Sequence, residues 1–508
     1  MNAALLRRKL RSGFIRLRLA RDAIALGGRT AITGVKKSFD LSNTKPVAAA
    51  AALTIAEPGL DGVTPPPAAP APFPPEPPQL DKAFAFALTL TELQMRPPPR
   101  VRPRTPRPKR VVMFAVSQLR IDPRIEREAR ALVEAGFEVI VVGPDLSEPS
   151  NAQVPLDWGP NIKFDLLPSL AVGFMVNAPW FYSAPLVRAG SRHEAFAFHA
   201  HDLWTSLIAL DCASRTGALA VMDYHEWTSE NVSWDSENQR WAPHPVDRGD
   251  AFRNMENLGM RLAALTITVN KTIATALEQE CGLAAGSVAI VRNVPKLDAV
   301  PTKTYPSLKK QFGLADSAFV VLYQGGTGPS RLLEPVIEGL AHAPGAILII
   351  RGPSLDLFGD EYRALAARCG VADRLIIAPA VPSHDVVAAA RGADLGIYTV
   401  VDASKNFRYA LPNKVFEYLA ADVPLAIANY PEVMKIVDEH KCGVSFDPHS
   451  PRSIGAAIHS VQSNPAFRKE LQRNAPVAFE ALDGASEWRR FAALYEELWR
   501  RATAPESS

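Results

Sequence analysis

The chain has 508 residues, 47% apolar and 21% charged, with a net charge of +3. That is enough for two or three domains of ordinary globular composition. The charge is unevenly spread: residues 1–110 carry 19 Lys and Arg against 7 Asp and Glu, leaving 37 against 46 in the remainder. A mildly acidic body without a basic stripe argues against a nucleic-acid partner.

Cys212, Cys281, Cys369 and Cys442 are widely spaced and match no zinc or Cys-x-x-Cys pattern. They read as small buried apolar residues in a reducing compartment rather than a disulfide frame. No stretch of 18 uninterrupted apolar residues exists, so no spanning helix is expected. The expected location is cytoplasmic, with peripheral contact at the inner membrane face left open.

The first 108 residues read as an extension, mostly disordered. Within residues 1–30, Leu6, Leu10, Leu17 and Ile24 alternate with Arg7, Arg8, Arg11, Arg18 and Arg21. Such a segment suits either an amphipathic helix on an anionic membrane surface or a solvated basic tail. Residues 46–80 are rich in Ala and Pro and read as a linker. Residues 84–93 suit a short docking helix, and 96–110, alternating Arg and Pro, a second linker.

From Val111 onward, apolar runs alternate with amphipathic stretches. Strands are expected at 111–116, 138–142, 195–199, 219–223, 265–269 and 288–291, with helices at 124–135, 203–215, 252–264 and 271–280. A hinge near 295–305 precedes a second series. Its strands fall at 319–323, 347–351, 374–377, 395–398, 424–428 and 443–446. Its helices fall at 331–340, 361–369, 384–391, 413–421 and 431–440. This alternation predicts an α/β fold: two tandem Rossmann-like doubly wound domains, 109–295 and 296–484, facing a central cleft. A last helix within 485–508, with Trp488, Phe491, Leu494, Tyr495 and Leu498 on one stripe, should pack across a domain surface.

The candidate chemistry lies at the predicted carboxyl ends of strands, where such sheets bind ligands. Asp122 and Arg124 follow the first strand; each suits an acceptor or phosphate contact. Asp122 equally suits a helix cap, and Arg124 an ion pair with Glu128. In His199-Ala200-His201-Asp202, a period of two puts both imidazoles on one side. Asp202 suits an acceptor base, a hydroxyl reader or a helix cap. His225-Glu226 has no third metal ligand at telling spacing, and the chain has neither His-Glu-x-x-His nor Asp-x-Asp, so no metal is expected.

In the second series, Gly325-Gly326-Thr327-Gly328 would let a phosphate approach the backbone. Arg331 suits a forked grip on phosphates. Pro412-Asn413-Lys414 opens a short helix whose N-terminus suits an anion, with Glu417 one turn further in to accept hydroxyl hydrogen bonds.

The order of these motifs, with Arg292-Asn293-Val294-Pro295, Arg391-Gly392-Ala393-Asp394 and Asp422-Val423-Pro424-Leu425, resembles family 4 glycosyltransferases of the two-Rossmann GT-B architecture. The resemblance spans about 109–499. It implies transfer of a sugar from a nucleotide diphosphate sugar to a hydroxyl acceptor, with retained anomeric configuration and no metal or other cofactor, in polysaccharide or glycoconjugate synthesis. It implies that a histidine contacts the transferred sugar, with His201 favoured over His199. It implies ribose recognition by Glu417 and donor phosphate contact at Arg331, where the family usually has a lysine; Gly325, Gly326, Asn413 and Lys414 join the donor site through the glycine turn and the helix start. Two departures stand out. Gly326 sits where the family usually has an arginine, and Tyr409 where it has the first of two glutamates; Tyr409, Asn406 and Arg408 are candidate substitutes. The alternatives are a nucleotide-sugar epimerase of the same fold and a degenerate, non-catalytic binding scaffold.

Overall fold

The computed structural model describes residues 82–146, 156–168, 183–244, 250–295 and 304–504. Expectations for 1–81, and most of the proposed hinge, lie outside the described residues. Lys82–Ser508 forms one compact unit.

The front lobe holds β1 (Arg110–Phe114), β2 (Glu138–Asp145), β3 (Ile162–Pro168), β4 (Ala197–His201), β5 (Leu219–Tyr224), the hairpin β6 (Val232–Asp235) and β7 (Arg240–Pro243), then β8 (Leu265–Thr268) and β9 (Val288–Ile290). The rear lobe holds β10 (Phe319–Gln324), β11 (Ala346–Gly352), β12 (Leu375–Pro379), β13 (Leu395–Tyr398), β14 (Leu425–Ala428) and β15 (Gly443–Phe446). The main sheets run β3-β2-β1-β4-β5-β8-β9 and β12-β11-β10-β13-β14-β15, with every pairing parallel. In both, three strands are laid to one side and the fourth returns to the other side of the first, so the switch points fall between β1 and β4 and between β10 and β13, where such folds take ligands in a crevice. The strands read as continuous apolar runs because helices cover both faces: β1, β4 and β5 are almost wholly buried.

Register decides the chemistry at that crevice. His201 pairs with Asp223 across β4 and β5, while His199, one repeat earlier, pairs with Val221. The helix Pro123–Glu134 begins at once after the β1 loop, with Asp122 accepting hydrogen bonds from the Arg124 and Ile125 amides. That is the capping role. Ser117 donates to the other carboxylate oxygen of Asp122 at 2.5 Å.

Several elements depart from the sequence expectation. β3 was not expected: its Lys163 and Asp165 break the apolar run, yet as an edge strand it shares their side chains with Glu138, Arg192 and His193. The hairpin β6–β7 and the helices Pro451–Gln462 and Pro465–Leu482 were also not foreseen. The helix expected over 331–340 is divided by Leu332, whose φ of 47° leaves a turn at Pro329–Arg331 and a helix at Glu334–Gly339.

Residues 96–110 are no free linker. A helix Lys82–Met95 seats Leu93 in the front-lobe core, and the Arg/Pro segment after it straps the back of the lobe. Arg104 donates to the Ser214 carbonyl at 2.8 Å, Arg107 to that of Thr216, Arg100 to that of Ala263 at 3.1 Å and Lys109 to that of Ala135 at 2.6 Å. All four acceptors lie at the carboxyl ends of helices, where carbonyls lack intrahelical partners and the dipole is negative. The C-terminal helix Gly484–Thr503 returns to the front lobe, burying Trp488, Phe491, Tyr495 and Leu498 beside Phe137 and Phe196.

Candidate functional site

In the rear lobe, β10 ends at Gln324 and the chain turns through Gly325, at φ 136°, and Gly328, at φ 127°. A side chain at Gly325 would stand 3.0 Å from the Lys414 ammonium. Lys414 lies in the first turn of the helix Asn413–Ala420, whose entry residue Pro412 offers no side-chain cap. First-turn amide N–H groups and a buried ammonium thus converge on the glycine turn. The Lys414 Nζ is 3.1 Å from the Tyr323 hydroxyl and 4.4 Å from the centre of its ring. Burial first, then repulsion from Arg331, brings its pKa down to about 7, against attraction from Glu417. Burial raises the Glu417 pKa, with Arg127 and Lys414 opposing. Gly325, Arg331, Lys414 and Glu417 therefore share one site.

Arg127, which the sequence did not single out, reaches this site from the front lobe. It donates to Asn293 Oδ1 at 2.8 Å, and the Asn293 amide donates to Asn413 Oδ1 at 2.5 Å. It also faces Glu417 closely enough to attract it.

The front-lobe side is a charged knot. Arg124 is 4% exposed; it holds both Asp223 oxygens at 3.1 Å and Glu128 at 2.8 Å. The phosphate-contact expectation for Arg124 is corrected: its guanidinium is consumed by buried carboxylates. Burial alone would raise the Asp223 pKa, but Arg124 and then His225 outweigh it and hold it well below the ordinary range. Burial and the neighbouring Asp223 push Glu128 the other way.

His199 is wholly buried, with Tyr495 bonded to its Nδ1, and burial lowers its pKa to about 3. It reaches no ligand surface, which corrects its candidacy as a sugar contact. His201 is 3% exposed and also driven neutral by burial; its Nδ1 lies 3.4 Å from His225 Nε2. Of the three imidazoles in this knot, the one nearest solvent is His225, 17% exposed. Its Nε2 sits 3.1 Å from Asp223, its Nδ1 3.4 Å from Asp202, and its amide donates to Asp202 at 2.8 Å. Burial and Arg124 oppose its charging, yet Asp202 and Asp223 prevail and its pKa is raised. Asp202 itself adopts φ 57° at the entry of the helix Leu203–Thr216 without a side-chain cap bond. Its carboxylate serves His225 instead.

Glu128, His201, Asp223 and His225 bring ligand-type atoms within 4.8 Å of one another. Arg124 already lies against both carboxylates, so a divalent ion there would face a guanidinium in direct contact with two of its four ligands.

The lobes meet around this site. Asn406 Oδ1 accepts the Trp227 amide at 2.9 Å, Lys405 pairs with Glu230 at 3.1 Å, and Asn270 donates to the Tyr409 carbonyl at 2.9 Å. The Tyr409 side chain packs against the front-lobe core.

Two family models match in tandem: Glycosyltransferase Family 4 over residues 124–295, and Glycosyl transferases group 1 over residues 306–477. Among curated relatives, a D-inositol 3-phosphate glycosyltransferase of Streptosporangium roseum is 24% identical over 309 residues, 55% of this chain and 69% of the relative. Another, of Acidothermus cellulolyticus, is 30% identical over 178 residues, 33% of this chain and 38% of the relative. Among solved structures, sucrose-phosphate synthase from Thermosynechococcus elongatus aligns with a TM-score of 0.62 at 16% identity, covering 77% of this chain and 99% of that one. Anabaena HepE in complex with UDP and glucose aligns with a TM-score of 0.58 at 15% identity, covering 76% and 99%.

The two parallel sheets give the two-lobed GT-B architecture, and the tandem family models make the chain a glycosyltransferase. The chain belongs to glycosyltransferase family 4, its front lobe carrying the family 4 domain and its rear lobe the group 1 domain. Among the described residues no helix is long and apolar enough to cross a membrane.

Proposed function

We propose that this glycosyltransferase takes its sugar from a nucleoside diphosphate donor and passes it, with retention of configuration, to an acceptor hydroxyl in polysaccharide or glycoconjugate synthesis. The observation that carries this reading is the Lys414 ammonium set against the Gly325 turn at an open helix start, with Arg331, three residues past Gly328, near enough to repel it. Two cations and first-turn amides form a seat for the diphosphate and stabilise the charge that develops on it as the glycosidic bond breaks. Glu417 accepts from the ribose hydroxyls. The seat supplies cationic charge from side chains, so the proposed reaction needs no divalent ion. His225, braced by Asp202 and Asp223, presents the front-lobe imidazole to the reacting centre, with His201 behind it.

HepE is described with UDP and with UDP-glucose, which makes uridine conjugates the first donors to try. The named activity of the curated relatives makes a phosphorylated polyol the first acceptor to try. The test is a thermal-shift screen of UDP, GDP and ADP and their sugars. A ligand held at 100 times its Kd adds about 2.7 kcal/mol to stability. One nucleotide should raise Tm in the parent chain and not in Arg331→Ala. A parent chain that answers none of them refutes the reading. The basic segment 1–30 is proposed to meet an anionic membrane; equal sedimentation of the full chain with anionic and neutral vesicles would refute that part.

A further inference from the structure

A diphosphate between Arg331 and Lys414 carries a hydroxyl-bearing ring on each side, a ribose and the sugar to be transferred. Glu417 stands beside Lys414, at one end of that grip. The other end has its own carboxylate, from the opposite lobe. Glu226 lies two residues past β5, next to His225, and its side chain is exposed to solvent. Among its neighbours are Arg331, which attracts it, and Asp202 and His225.

We propose that Glu226 accepts hydrogen bonds from hydroxyls of the transferred sugar and so selects and orients it against the diphosphate. The inference rests on the donor reading above. A carboxylate suits the task because both oxygens accept and neither donates, matching a pair of adjacent hydroxyls.

The surroundings prepare it for that role. Asn231 Nδ2 donates to Glu226 Oε2 at 3.1 Å. Asn406 accepts the amide of Trp227, the residue after Glu226, through Oδ1 at 2.9 Å, and its side chain lies close enough to favour the charged form of Glu226. Asn406 belongs to the rear lobe, so closing the lobes adds its contact to the one Asn231 makes from the front lobe and completes the setting of the sugar reader. Tyr409 does not compete for the role, because its side chain packs into the front-lobe core.

The experiment measures binding of UDP, GDP and ADP and of their glucose conjugates to the full chain, together with acceptor-free release of nucleotide. Glu226→Gln and Glu226→Ala should bind the free nucleotide within about twofold of the parent. They should lose at least about tenfold in affinity for the sugar nucleotide, the scale of a hydrogen bond to a charged acceptor, and slow its hydrolysis at least as much. Unchanged nucleotide binding serves as the folding control. Equal sugar-nucleotide affinity and hydrolysis in parent and variants overturns the inference alone. Equal losses for free nucleotide and conjugate also overturn it, because they assign Glu226 a structural task. A parent chain that binds no nucleotide overturns the donor reading and this inference with it.

Discussion

The Lys414 ammonium sits 3.1 Å from the Tyr323 hydroxyl and lies over its ring, a cation at the mouth of the glycine turn with only partial compensation. Its pKa of about 7 stands against an ordinary lysine value of about 10.4. Between those values the unfolded chain binds the extra proton, so this group makes stability rise with pH across the window. A bound diphosphate favours the ammonium and reverses the sense for binding. Nucleotide affinity should therefore fall as pH rises from 7 towards 9, by up to about tenfold per unit if one proton is taken up. Calorimetry in buffers of different ionisation heat measures the proton uptake, and Lys414→Met should abolish it.

Glu417 faces both Lys414 and Arg127. If it reads the ribose, Glu417→Ala should weaken nucleoside diphosphate binding by about tenfold, the scale of a charged hydrogen bond, and leave inorganic pyrophosphate binding unchanged. A parallel loss for both ligands would place its role with the phosphates instead.

Of His199, His201 and His225, His225 reaches furthest toward solvent. His225→Ala should reduce turnover by about 100-fold, the lower range for a positioned polar group acting in the transition state, while nucleotide affinity stays near the parent value. His199→Ala should act instead through stability, since that ring is wholly buried against Tyr495.

Arg124 binds two buried carboxylates. Arg124→Ala should destabilise the chain by about 3–5 kcal/mol, because it leaves buried charge without its counterion. A urea midpoint measures the loss. A variant of unchanged stability with weakened nucleotide binding would return Arg124 to the ligand.

The strap of Arg100, Arg104 and Arg107 ties three residues of a basic Pro-rich segment to helix ends. A chain begun at Lys109 should be less stable than one begun at Lys82 by several kcal/mol, at about 1 kcal/mol for each hydrogen bond plus the burial of Leu93. Equal denaturant midpoints for the two would refute the strap's contribution.

Most of the frame was legible in the sequence because it is written in local periodicity. Runs such as 319–323 and Leu395–Tyr398 carry no charged or amide side chain, so they read as strands covered on both faces. Residues 96–110 misled for the same reason. Their Arg/Pro pattern contains no period, and the carbonyls that receive the arginines lie more than 100 residues away in the case of Arg104.

By itself, the sequence determined two doubly wound lobes, the glycine turn after the first rear-lobe strand and the open helix start at Asn413, each a property of adjacent residues. Only the tertiary structure decided which charges are free to meet a ligand. Arg124, His199 and His201 bear the same chemistry as Arg331 and His225, but Asp223 and Tyr495 arrive from a distant strand and helix to surround the first three. The Arg124–Glu128 pair is local, four residues apart on one helix, but its burial is set by what the rest of the chain brings alongside.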